Sequence, residues 1–242
     1  YFNIEIDRYV KVNFMQFIDV AEAVGGLDLD VAYNEAEAMR EPLDEQNHYL
    51  GNKKGTDYID MSVYGDDVQE WGYTYGVDEN IPTVKMHLNG NQALAYARVR
   101  YNCGDDFGRT QRQRIVINEI IKKSKSMGLL DLDALMNKVF PEVQTDITNG
   151  EIASLLLNAF DYMKYDIQQL RIPADNYYTY DFINQQSVLS PNFLANMAFM
   201  KYVIYGDQSD VEGAVEQYQQ EMNDGTFWEK NELNPYDYGY YY

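Results

Sequence analysis

Residues 95–114 read AYARVRYNCGDDFGRTQRQR and set five arginines, Arg98, Arg100, Arg109, Arg112 and Arg114, within twenty positions. The chain around them is acidic: of 242 residues, 39 are Asp or Glu and 19 are Lys or Arg, a formal net charge of −20. Guanidinium groups concentrated in such a background point to an anionic partner. The stretch begins by alternating, with Tyr96, Arg98 and Arg100 on one side and Ala95, Ala97 and Val99 on the other, the two-residue period of a strand. Behind Gly104, Asp105 and Asp106 the period changes. Val116, Ile117, Ile120 and Ile121 recur at helical spacing, and an Asp stands in the N-cap position, which predicts a helix starting close to Asp106. Arg109 and Gln113, four apart, fall on the line of Val116, Ile117 and Ile120 and so at the N-terminal end of the inward face.

A strand end carrying Arg98 and Arg100 then meets a helix N-terminus carrying Arg109 and Arg112, where backbone N–H groups and the helix dipole add positive potential. Arginine suits a phosphate or pyrophosphate clamp, because its planar fork binds two oxygens at once and keeps its charge at ordinary pH. The alternative is an ion-pair network in which Asp105, Asp106 and other carboxylates take up the arginines. Two aspartates do not neutralise five arginines, which weighs toward a ligand.

The longer run GNQALAYARVRYNCGDDFGRTQRQR, residues 90–114, resembles the hallmark of the LytR-CpsA-Psr family, a YARxR segment followed by an Asp-x-x-Arg-x-x-Arg-Gln helix start. YVKVNFMQFIDVAEAVGGLDLDV, residues 9–31, is similar to the family's strand, helix, Gly-Gly turn and strand. VQTDIT at residues 143–148 and LRIPAD at 170–175 resemble its later half, so that residues 1–175 are covered, with a variable gap in the middle. The resemblance implies an extracytoplasmic phosphotransferase that moves a glycopolymer, of teichoic acid or capsular polysaccharide type, from a polyprenyl pyrophosphate carrier to peptidoglycan through a phosphodiester. It implies that Arg98, Arg100 and Arg109 hold the pyrophosphate and Asp106 orients them. Gln113 reaches the substrate from the helix, and Arg112 is a further substrate-binding candidate expected to face outward.

In that family the first strands, the magnesium-binding aspartates and a transmembrane helix precede the counterpart of Tyr1. A magnesium site and a membrane anchor are therefore expected mainly upstream of this chain, and the location expected is the outer face of the cell membrane of a Gram-positive type bacterium. Pyrophosphate hydrolysis, and retention of a lipid pyrophosphate or anionic glycan without catalysis, stay open as alternatives.

Composition sets further bounds. With 45% hydrophobic residues the chain is long enough to bury a core. Its net charge argues against nucleic acid as a partner of the whole protein. A lone cysteine, Cys103, excludes an intrachain disulfide, and His48 and His87 are too far apart to form a zinc motif. No run reaches the roughly twenty apolar residues of a membrane span.

Outward from the arginines, residues 1–14 read as one or two strands, and Phe14, Phe17, Ile18, Ala21 and Val24 as a helix that stops at Gly25 and Gly26. A strand follows over 27–31. Residues 33–81 read as a long irregular acidic insertion containing Trp71, Tyr73 and Tyr75. Residues 84–88 read as a strand, 129–140 and 149–163 as helices, 167–172 and 177–182 as strands, and 191–205 as a last helix. The order predicts an α/β domain, a mixed sheet flanked by helices in an α/β/α layering, over residues 1–205. Residues 206–242 hold nine acids against one lysine and end in NPYDYGYYY, which predicts a flexible tail without a share in the core.

Overall fold

The computed structural model describes residues 6–65, 81–139, 143–162, 164–183, 186–207 and 210–226. The chain divides into two compact units, Arg8–Tyr165 and Tyr1–Asp7 with Asp166–Tyr242. In the first unit the elements are β1 (Val10–Lys11), α1 (Phe14–Ala23), β2 (Leu27–Ala32), α2 (Tyr33–Ala38) and α3 (Arg40–Leu50). They are followed by β3 (Thr83–Leu88), α4 (Gly90–Arg98), α5 (Asp105–Lys125), α6 (Leu129–Val139), β4 (Gln144–Thr145), α7 (Asn149–Leu157) and α8 (Ala159–Tyr162). The α/β class is as expected. Among the described residues, though, the strands pair two by two and antiparallel, β1 with β4, β2 with β3 and, in the second unit, β5 (Tyr178–Ile183) with β6 (Gln186–Pro191).

The β2–β3 ribbon floors the first unit. Leu27, Leu29 and Val31 point inward, while Asp28 and Asp30 point away from the core, the alternation that a half-buried strand dictates. Register runs from Leu27 opposite Leu88 to Ala32 opposite Thr83. Over the buried face lie Ala21 of α1, Met39, Leu43 of α3, Ala93, Ala95 and Tyr96 of α4, and Val116 of α5, which form one cluster. On the outer face Lys123 and His87 both contact Asp28, at 2.6 Å and 2.7 Å. The Lys123 ammonium first, and His87 second, hold the Asp28 carboxyl at about 2.

Several sequence expectations are corrected. Residues 95–99 are the end of helix α4 and the residue after it, not a strand. Asn89 starts that helix with a capping box, its side chain accepting from Gln92 N at 2.8 Å while its own N–H donates to Gln92 Oε1 at 3.1 Å. Ala93 through Ala97 are all buried, so no polar face marks the 3.6-residue period and the arginines mimic a strand alternation. The supposed irregular insertion holds α2, α3 and a 3-10 turn at Met61–Tyr64; residues 66–80, with Trp71, Tyr73 and Tyr75, lie outside the described residues. Helix α3 hides its period because Gln46 and Asn47, both amides, face inward. The helix expected over 149–163 is interrupted at Asn158, the C-cap of α7.

In the second unit residues 167–172 have no regular structure. Strands β5 and β6 form a hairpin that continues into α9 (Phe193–Tyr205). The fully buried Asn196 braces this unit, accepting from Ala174 N at 2.8 Å and donating to Tyr177 O at 2.9 Å and Asn192 O at 2.7 Å. The expected tail is not featureless: α10 (Val211–Asp224) is capped by Asp210, packs on α9, and sends Tyr218 Oη to Pro191 O at 3.1 Å. Residues 227–242 lie outside the described residues. No helix among the described residues is long and apolar enough to cross a membrane.

Candidate functional site

Two helix ends build the site. Helix α4 stops at Arg98 because Val99 takes an extended conformation (φ −51°, ψ 132°). This leaves Arg98 in the last turn, where a cation complements the helix dipole. The chain then turns through Gly104, which adopts φ 78° and caps α5 without a side-chain bond. Gly108 lets this turn lie against α5, since a Cβ there would fall 2.0 Å from Cys103 O. The arginines thus approach each other from a helix C-terminus and a helix N-terminus, not from a strand and a helix.

Arg98, Arg100, Arg109 and Gln113 line one cavity of about 1270 Å³, together with Phe14, Glu37, Arg40, Glu41, Glu45 and Thr110. Asp106 clasps two of the arginines, its carboxylate lying 2.7 Å from Arg100 Nη2 and 2.5 Å from Arg109 Nη2. Arg98 sits 4.7 Å above the Phe14 ring centroid, donates to Gln46 Oε1 at 3.4 Å, and pairs with Glu45. The arginines are therefore both gathered on a cavity and neutralised by carboxylates. The ligand clamp and the ion-pair network inferred from the sequence describe the same groups.

Arg112 stands apart, and its outward placement is corrected. The buried stripe of α5 is Gly108, Arg112, Val116 and Glu119, whereas Gln113 and Ile117 are exposed. Arg112 is 2% exposed; it pairs with Glu35 at 3.0 Å and donates to Cys103 O at 2.9 Å and Val99 O at 2.7 Å. It fastens the site turn from behind and does not line the cavity. Burial also pushes the Cys103 thiol up to about 12, beyond what the nearby Arg112 charge offsets.

Helices α2 and α3 were missing from the sequence picture, and with them the cavity's acidic wall. One signal could have found it: Glu37, Glu41 and Glu45 are spaced four apart, the repeat of a single helical face. Phe14 carried no local signal, since it comes from α1, far away in sequence. Among the described residues no group of three or more His, Cys, Asp or Glu is arranged to hold a metal ion.

The LytR_cpsA_psr family matches residues 1–195 of the chain. The chain is 31% identical over 170 residues to the polyisoprenyl-teichoic acid–peptidoglycan teichoic acid transferase TagV of Bacillus subtilis, covering 69% of this chain and 35% of the relative. To the transferase of the same description called TagU in Bacillus anthracis it is 27% identical over 179 residues, covering 73% and 46%. The chain thus spans about a third to a half of these curated relatives, 35% and 46%. Among solved structures, Bacillus subtilis TagV superposes with a TM-score of 0.50 at 24% identity over 92% of this chain and 66% of that one. An Enterococcus faecalis protein described as a transcriptional regulator gives 0.53 at 22% identity over 90% and 68%. These two likenesses establish a common fold.

Proposed function

Because this chain belongs to the LytR_cpsA_psr family, we propose that it takes part in transferring a glycopolymer from a polyprenyl pyrophosphate carrier to peptidoglycan, its arginine-lined cavity receiving the pyrophosphate. The similarity to TagV and TagU, both polyisoprenyl-teichoic acid–peptidoglycan teichoic acid transferases, supports the class of reaction. The observation that carries the site is the gathering of Arg98, Arg100, Arg109 and Gln113 on one cavity. In the reaction, an acceptor hydroxyl oxygen of peptidoglycan attacks the phosphorus bonded to the glycan. The bridging P–O bond to the second phosphate breaks, polyprenyl phosphate leaves, and the hydroxyl proton passes to solvent or a base. Negative charge grows on the bridging oxygen and the leaving phosphate.

Guanidinium groups already held in place stabilise that charge without reorganising at the moment of reaction, the largest single contribution in most such sites. Arg100 and Arg109 are held by Asp106, and Arg98 by Phe14 and Gln46. Gln113, exposed at the cavity edge, supplies an amide donor to a phosphate or sugar oxygen. Magnesium, expected from the family resemblance, finds no ligand group of three or more among the described residues, and no step here passes through it. An envelope location follows from the acceptor. The test is transfer of a labelled oligosaccharide from a polyprenyl pyrophosphate to peptidoglycan sacculi by the full-length protein. Label should become bound to the sacculi, and Arg98→Ala or Arg109→Ala should abolish it; undiminished transfer by both variants would exclude this cavity as the site.

A further inference from the structure

The three bonding partners of Arg98 are unequal. Gln46 is buried and fixed: its Nε2 donates to Asn91 O at 2.8 Å and Asn91 Oδ1 at 2.6 Å, which leaves its oxygen facing Arg98. Asn91 is fixed in turn, donating to Asp57 Oδ2 at 2.8 Å and Asn47 Oδ1 at 3.1 Å. Phe14 covers the guanidinium at 4.7 Å. Glu45, by contrast, has a side chain 52% exposed against 21% for Arg98. It can turn into water and keep its charge solvated, whereas Gln46 would leave buried donors and acceptors without partners.

We propose that Glu45 is a competing carboxylate that an entering phosphate group must displace from Arg98, and that it thereby sets how tightly the cavity holds pyrophosphate; this rests on the assignment of that cavity to pyrophosphate. Exchange at Nη2 replaces one charge-assisted bond by another, while Gln46 and Phe14 keep the guanidinium in place. A ligand that reaches only Arg100 and Arg109 does not meet this competition. Asp106 does not play the same part, since it bridges two arginines at once and lies on the helix of one of them.

The consequence is a coupling between two residues that calorimetric titration with inorganic pyrophosphate reads directly, using the whole chain and its E45Q, R98A and E45Q/R98A variants, with thermal melts to establish folding. Glu45→Gln should bind pyrophosphate about two- to fivefold more tightly than wild type, the range of a partly exposed ion pair, and the gain should vanish when Arg98 is alanine. A gain that persists in the Arg98→Ala background would mean a general charge effect and overturn the proposal, as would no gain at all. Loss of binding on Arg98→Ala without any gain on Glu45→Gln would overturn this inference alone. Absence of Arg98-dependent pyrophosphate binding by wild type would overturn the function it rests on.

Discussion

Arg112 of α5 and Glu35 of α2, 77 positions apart in the chain, meet at 3.0 Å with Arg112 almost wholly buried. The same guanidinium holds the carbonyls of Val99 and Cys103, so one side chain joins the acidic wall of the cavity to the turn between its two arginine-bearing helices. A buried charge with its partners in place is stable, and one deprived of them is costly.

Removing Arg112 should therefore damage the fold more than the removal of any cavity arginine. Arg112→Met takes the buried donors away from the Val99 and Cys103 carbonyls and the cation away from the partly buried Glu35, and should cost about 3 kcal/mol, measured by denaturant unfolding. Arg109→Ala, at a half-exposed position, should cost about 1 kcal/mol or less. Equal losses would show that Arg112 is not the fastening.

Gly108→Ala should lower the melting temperature. The added methyl meets the Cys103 carbonyl at 2.0 Å, a backbone atom that cannot step aside, and overpacking of this kind costs about 1–3 kcal/mol. At ~2–4 °C per kcal/mol for a chain of this size, calorimetry resolves the drop. An unchanged or raised transition would mean that the turn adjusts freely.

Cys103 should resist thiol reagents. Its thiol is buried and pushed up to about 12, so thiolate is scarce at pH 8. Labelling should be slow in buffer and rapid in denaturant; equally fast labelling in both would place the thiol at the surface.

The Arg8–Glu151 pair, at 2.6 Å, gives a pH signature. The Arg8 hydrogen bond first, then the Thr148 backbone and hydroxyl, lower the Glu151 carboxyl from 4.5 to about 2. A folded-state value below the unfolded one means that ionised Glu151 favours the fold above pH 4.5 and that this contribution fades as pH falls toward 2. The gap in melting temperature between wild type and Glu151→Gln should be open at neutral pH and close across that window. A gap that stays constant to pH 2 would refute the pairing.

How far the sequence could be read depended on where each element points. Helix α1, its Gly-Gly stop and β2 were legible because one face of each is apolar and the other polar. The convergence of Arg98 and Arg100 with Arg109 and Gln113 was legible too, although Arg98 arrives on a helix. Helix α4 was misread because it is buried around its circumference, so alanines replace the usual polar stripe. Helix α3 was missed because Gln46 and Asn47 occupy its inward positions and satisfy each other's neighbours by hydrogen bonds instead of by apolar contact. Arg112 was turned the wrong way because Ile117, exposed in the structure, was counted among the core residues and shifted the inferred face.

In the proposed function Arg98 and Arg109 grip one pyrophosphate from two helices. Titration calorimetry with a short-chain polyprenyl pyrophosphate tests it most directly. Arg98→Ala and Arg109→Ala should each weaken binding by about 1.5–3 kcal/mol, the range for hydrogen bonds to charged groups. Lysine at either position should restore only part of the loss, because a point charge lacks the fork. Wild-type affinity in Arg109→Ala, or full recovery with lysine, would contradict the clamp.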